Sequence, residues 1–145
     1  MSAPPTDQPS RIRIDIDHAE RALDEERVRA AVQRVLDGEE REAEFIGVVL
    51  TDHETVRDLN VRYLQHDYDT DVLSFPLSEA GPIEGEIYVD LDTAAERAGE
   101  FSTTYEREAL RYVIHGLLHL AGYDDSTAEG KAEMRALEET YLAEN

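Results

Sequence analysis

From Ala109 to Ala121 the chain is apolar nearly all round, through Leu110, Val113, Ile114, Leu117, Leu118 and Leu120, yet His115 and His119 interrupt it. A helix without a polar face is buried against other layers, so this segment belongs at the centre of whatever the chain folds into. At ~100° and ~1.5 Å per residue, positions 115 and 119 project from one face about one turn apart. Gly122 stands where the helix would stop, because glycine accepts the left-handed backbone of a C-terminal cap. The chain can then turn back and offer a carboxylate, Asp125 or its neighbour Asp124, to the two imidazoles. A lone histidine on an apolar helix is ordinarily a packed core residue. Two at this spacing, followed by a helix stop and a returning acid, read as a metal site. Of the two acids, Asp125 is the expected ligand. Two imidazoles and a carboxylate suit one borderline cation such as Zn2+ and leave a fourth position for water.

The motif also excludes something. Zinc-protease helices carry H-E-x-x-H, in which the glutamate is the general base, and an extended form adds a glycine and a third ligand further along. His115, His119, Gly122 and Asp125 keep those offsets, but Gly116 occupies the glutamate position. Glycine cannot take a proton from water, so peptide hydrolysis by that route is disfavoured.

The rest of the chain reads as one α+β domain over residues 11–145, preceded by a proline-rich polar tail at 1–10 that is expected to be disordered. Arg11 to Asp17 alternates with period two, as a half-buried strand does, and Phe45 to Leu50 is a continuous apolar run, hence a central strand. Val72 to Phe75 and Glu86 to Val89 are two more strands, joined by a loop carrying Gly81-Pro82. Helices are expected at Val28 to Leu36 with Asp24 as N-cap, at Val56 to Leu64, and at Leu91 to Gly99. A capping box from Thr103 to Glu106 opens the histidine helix, and Ser126-x-x-Glu129 opens the last one, with Met134, Leu137 and Tyr141 on its core stripe. The expectation is a mixed sheet of about four strands with about five helices. The metal helix is packed on the sheet, and the site opens into a cleft beside Val72 to Pro76.

Three blocks carry a family resemblance. His115 to Asp125 resembles the H-G-x-L-H-L-x-G-Y-D-H signature of the YbeY family of bacterial endoribonucleases. Leu59-Asn60-Val61-Arg62-Tyr63, Asp67 and Thr70 to Pro76 form a second block, and Gly85-Glu86-Ile87-Tyr88-Val89 is similar to the family's G-D-I-x-I strand. The resemblance implies a single-strand-specific, metal-dependent endoribonuclease. Its implied role is maturation of the 16S rRNA 3′ end and late ribosome quality control, with single-stranded rRNA and the small subunit as partners. It implies His115, His119 and Asp125 as metal ligands and His115 as catalytic; Ser74 and Arg62 are candidate positioning groups near the cleft, and Ser74 reads equally as a strand residue facing a neighbouring helix. Two positions depart from the family pattern. Asp125 stands where the third ligand is most often histidine, which would leave a bound divalent ion at about +1 rather than about +2. Leu64 stands where many members carry an arginine thought to meet RNA phosphate, with Arg62 and His66 as nearby substitutes. The alternatives are a metallopeptidase-type hydrolase using the same ligands, or a non-catalytic ribosome-assembly factor with structural zinc.

Composition bounds the reading further. There is no cysteine, which excludes disulfides, thiolate ligands and a cysteine nucleophile. No apolar run approaches the ~20 residues of a membrane span, and residues 1–10 lack the basic start and apolar core of a signal peptide, so a cytoplasmic protein with no membrane partner is expected. The charge is unusual for an RNA enzyme. The net is −20, with 34 acidic residues against 14 lysines and arginines, and Lys131 is the only lysine. Nucleic-acid binders ordinarily show a basic stripe. Abundant acid with scarce lysine is the expected surface of a protein adapted to saline cytoplasm, where molar salt shortens the Debye length to ~3 Å.

Overall fold

A computed structural model describes residues 11–64 and 71–143. The N-terminal tail, His66, Asp67 and Thr70 lie outside them. Four strands, β1 (Ile12–Ile16), β2 (Ala43–Thr51), β3 (Val72–Pro76) and β4 (Ile83–Asp90), form one sheet in the order β1-β2-β4-β3. The helices are α1 (Glu25–Glu39), α2 (His53–Leu64), α3 (Leu91–Glu100), α4 (Tyr105–Leu120) and α5 (Ala128–Leu142). β1, β2 and β4 run parallel, and β3 pairs antiparallel with β4 along the edge, Ser74 opposite Ile87 and Pro76 opposite Gly85. Proline, which cannot donate to a ladder, ends that edge strand, where its missing N–H costs least.

The strand patterns follow from their positions. In β1, Ile12 and Ile14 are buried while Arg13 and Asp15 face water. β2 lies between two neighbours, and Ile46, Val48 and Leu50 are fully buried beneath the helices. α1 contributes Val28, Ala31, Val32, Val35 and Leu36 to the core, and Asp24 caps it by accepting from the Glu26 N–H. α4 packs on the sheet and on α1, α3 and α5. Ala109, Leu110, Val113, Ile114, Leu117 and Leu118 are all essentially inaccessible to water. Each such leucine or isoleucine contributes about 1.5–3 kcal/mol by burial, so α4 is the element around which the others condense.

Two helix starts fall one residue later than the capping boxes predict. The N-cap of α4 is Thr104, whose side chain accepts from the Arg107 N–H. Thr103 is held back because its own N–H bonds the Ala98 carbonyl at the end of α3, and Glu106 pairs with Arg27 of α1. The N-cap of α5 is Thr127, accepting from the Gly130 N–H, because Ser126 is committed to Asp124 through both its N–H and its hydroxyl. The Met134, Leu137 and Tyr141 stripe does face the core. Among the described residues, no helix is long and apolar enough to cross a membrane.

Candidate metal centre

The end of α4 builds the site. Gly122, at φ +110°, takes a backbone conformation that side chains disfavour. There the Gly122 N–H bonds the His119 carbonyl and the Tyr123 N–H bonds the Leu118 carbonyl, both at 3.0 Å. These two reverse bonds are those of a Schellman cap, which closes the helix and turns the chain back. The turn delivers Asp125 to the face that carries both histidines. Asp125 Oδ2 lies 3.4 Å from His115 Nε2 and 3.6 Å from His119 Nε2, and the two Nε2 atoms are 3.1 Å apart. Asp124 is spent elsewhere: its oxygens accept from Ser126, which also lowers its pKa.

The backs of the imidazoles decide what their fronts can do. His115 Nδ1 is 2.7 Å from Glu138 Oε2, and His119 Nδ1 is 3.1 Å from the Tyr123 carbonyl oxygen. A carbonyl can only accept, and an ionised carboxylate can only accept, so both Nδ1 atoms carry the proton, and in the neutral rings that bind a metal both Nε2 atoms keep a lone pair. Two lone pairs and a carboxylate oxygen then converge within 4.8 Å, an arrangement that repels itself unless a cation sits among them. The donor separations fit one: a tetrahedral ion with bonds of about 2.0–2.1 Å needs edges of about 3.3–3.4 Å. Burial opposes charging of His115, but the hydrogen bond and charge of Glu138 outweigh it, and its pKa is raised.

Glu138 is buried and is itself held by Arg111 at 3.3 Å, which also meets Glu108 at 3.5 Å and Glu139 at 2.6 Å. Neither Glu138 nor Arg111 was singled out by sequence reasoning. The signal was present: Met134, Glu138 and Tyr141 share one apolar stripe of α5, and an acid on a buried stripe needs a partner.

Gly116 has a steric explanation. A Cβ there would lie 2.6 Å from Ile87 Cγ2 and 3.2 Å from Ser74 Oγ, so helix and sheet touch through a position that admits no side chain. Ser74 is part of that contact, its hydroxyl donating to the Gly116 carbonyl at 2.8 Å. Ser74 therefore anchors α4 to β3. The site does not open beside Val72 to Pro76 among the described residues, because Val72 and Ser74 lie directly against α4. Instead, a cavity of about 650 Å³ exposes His115 and Asp125 between α3, α4 and α5, and Asp71 borders it just ahead of β3. Burial raises the Asp71 pKa. Arg62 is not among the residues bordering this cavity. It is exposed and pairs with Asp58 one turn earlier in α2, at 3.0 Å. The side chain of Leu64 and all of His66 are outside the described residues.

A four-stranded mixed sheet carrying a buried histidine helix, capped by a turn that returns an acid, defines a small α+β protein with a candidate metal-ligand triad. The family profile described as Endoribonuclease YbeY matches residues 13–145, and the chain belongs to that family. Endoribonuclease YbeY of Salinibacter ruber is 53% identical over 148 residues, covering 95% of this chain and 94% of that protein. The Chloroherpeton thalassium protein of the same name is 45% identical over 121 residues, covering 83% of this chain and 86% of its own length. The solution structure of TM1509 from Thermotoga maritima superposes with a TM-score of 0.64 at 33% identity, covering 90% of this chain and 86% of that one.

Proposed function

We propose that this protein is a zinc-dependent, single-strand-specific endoribonuclease that acts in maturation of the 16S rRNA 3′ end and in ribosome quality control in the cytoplasm. The observation that carries the metal dependence is the pair of Nδ1-protonated imidazoles aiming both Nε2 lone pairs at Asp125. The relatives' names supply the RNA. His115, His119 and Asp125 would hold the zinc, which would supply Lewis-acid character toward a phosphoryl oxygen and make water more acidic. The chain's own part is to keep the three ligands in register, through Glu138 on one imidazole, the Tyr123 carbonyl on the other, and the Gly122 turn beneath Asp125. The cavity beside His115 leaves the triad accessible to substrate, which favours catalysis over a purely structural ion. The packed Gly116 leaves no room for the glutamate that a metallopeptidase needs.

The test is cleavage of matched single-stranded and duplex RNAs by wild type and His115→Ala, with chelator and with zinc restored. Wild type cleaves the single strand, loses activity to chelator and regains it with zinc, while the variant is inactive. Undiminished cleavage by His115→Ala, or hydrolysis of a peptide library instead, would overturn the reading. The same assay in rising KCl tests saline adaptation. Between ~0.1 and ~1 M salt the Debye length falls from ~10 to ~3 Å, so repulsion of RNA by the −20 chain fades and the rate rises. A rate that falls steadily while circular dichroism reports an intact fold would remove that adaptation.

A further inference from the structure

The acidity of the chain is not spread evenly. Among the described residues, the cavity at the metal centre is bordered by five cations, Arg97, Arg107, Arg111, Lys131 and Arg135, and by five carboxylates. This lining is balanced, so the net −20 of the chain comes from residues outside it. Within the lining, the cations fall into two groups. Arg107 pairs with Glu139 at 3.0 Å, and Arg111 is shared among Glu108, Glu138 and Glu139, so both are consumed inside the protein. Arg97, Lys131 and Arg135 are exposed, and no described residue forms a hydrogen bond or ion pair with their side chains.

Lys131 and Arg135 are one turn apart on α5 and so share a face, while Arg97 comes from α3. Two separate helices therefore hold positive charge with no ion-pair partner among the described residues at the rim of the cavity that opens onto His115 and Asp125, with Arg97 near enough to Asp71 to act on it electrostatically. A polyanion approaching this molecule meets repulsion over the surface at large, and it meets Arg97, Lys131 and Arg135 where they border the candidate centre.

We propose that Arg97, Lys131 and Arg135 form the phosphate-gripping rim of the substrate site. They would hold backbone phosphates of a single-stranded RNA on either side of the scissile one, while a bidentate fork from each arginine sets the strand's position. The proposal rests on the endoribonuclease reading and adds the residues that seat its substrate. Contacts of this kind fix register and affinity without reading sequence, so the rim makes the enzyme selective for an accessible backbone and leaves base choice to other groups.

The experiment measures binding of a fluorescently labelled, 2′-O-methylated single-stranded RNA by anisotropy, in parallel with cleavage of the unmodified strand. The proteins are wild type, Arg97→Gln, the double variant Lys131→Gln/Arg135→Gln, and Arg13→Gln. Arg13 is exposed on β1 and matches the charge change away from the cavity. Each rim cation removed weakens binding roughly threefold to fivefold and shifts the slope of log K against log[KCl] by about +0.7, the value for one phosphate contact on a single strand, whatever the sign that general repulsion gives the wild-type slope. KM rises in step, kcat on saturating RNA stays within twofold, and zinc affinity measured by calorimetry is unchanged. Arg13→Gln leaves the slope unaltered. Rim variants that bind like wild type, or an Arg13→Gln variant that loses as much as they do, overturn the rim while the ribonuclease stands. A wild-type protein with no affinity for single-stranded RNA overturns both.

Discussion

Among the described residues, two histidine–carboxylate clusters can be set side by side, and they differ in whether their donors converge. At the end of α4, His115 and His119 give their N–H groups away behind them and aim two lone pairs at one shared aspartate. Where β1, β2 and β4 end, His18 and His53 each face an aspartate of their own. His18 Nδ1 accepts from the backbone N–H groups of Glu20 and Arg21, so its Nε2 carries the proton and donates to Asp92 at 2.8 Å. His53 Nδ1 donates to the fully buried Asp90 at 2.6 Å, and Asp90 also caps α3 through Thr93. Both clusters have histidines and acids in reach of each other. What makes a metal centre is uncommitted lone pairs meeting at a point, and among the described residues only His115, His119 and Asp125 offer three. In the second cluster the histidine N–H groups are spent on Asp90 and Asp92, which splice helix starts to strand ends.

The largest expected effect tests this distinction directly. His115→Ala, His119→Ala and Asp125→Asn each remove a donor from the triad, and zinc stoichiometry measured by atomic absorption falls from one per chain toward zero, with RNA cleavage lost. His53→Ala and His18→Ala retain one zinc. Zinc held at full occupancy by Asp125→Asn would remove that residue from the site. Loss of zinc in His18→Ala would erase the difference between the clusters.

A smaller effect is expected one step behind the metal. Glu138→Gln can still accept from His115 Nδ1, but it withdraws the negative charge that makes the imidazole a stronger base. Such partners are worth roughly 10- to 100-fold in metal affinity. Competition against a fluorescent chelator should therefore show weaker zinc binding in a protein whose unfolding midpoint shifts little. An affinity equal to wild type would mean that Glu138 ties α5 to α4 and does nothing for the ion.

Which parts of this were legible in the sequence follows from how local their causes are. The α4 helix, its stop at Gly122 and the return of Asp125 were readable because periodicity and a positive-φ glycine act within a few residues. The helix caps slipped by one because the choice between Thr103 and Thr104 depends on a bond to Ala98, and that between Ser126 and Thr127 on a bond to Asp124. For Ser74 the sequence left a site role and a contact with a neighbouring helix equally open, because the choice is made by Gly116, 42 positions away. The cavity beside His115 borders Asp71 and none of Val72 to Pro76 for the same reason. Which wall of α4 stays open depends on how α3 and α5 pack, and no single segment encodes that.

The smallest expected effect concerns the closed cluster and its response to acid. Burial disfavours the charged form of Asp92, but the His53 N–H, the His18 imidazole and Arg21 together prevail and hold its pKa at about 2, against an ordinary 3.8. A carboxylate whose pKa is lower folded than unfolded stabilises the native state when it is ionised in both. Its contribution is therefore complete above pH ~4 and is lost as the pH falls from ~4 toward ~2. Asp92 is more than a third exposed, so solvent screening limits the gain to about 1 kcal/mol. Urea unfolding of wild type and Asp92→Asn at a series of pH values should show the two curves separated by about that amount at pH 6 and converging toward pH 2. The zinc affinity of Asp92→Asn, measured at pH 7, should match wild type, because this cluster shares no donor with the metal centre. Curves that stay equally far apart at every pH would assign the stabilisation to packing around α3 instead of to the charge on Asp92.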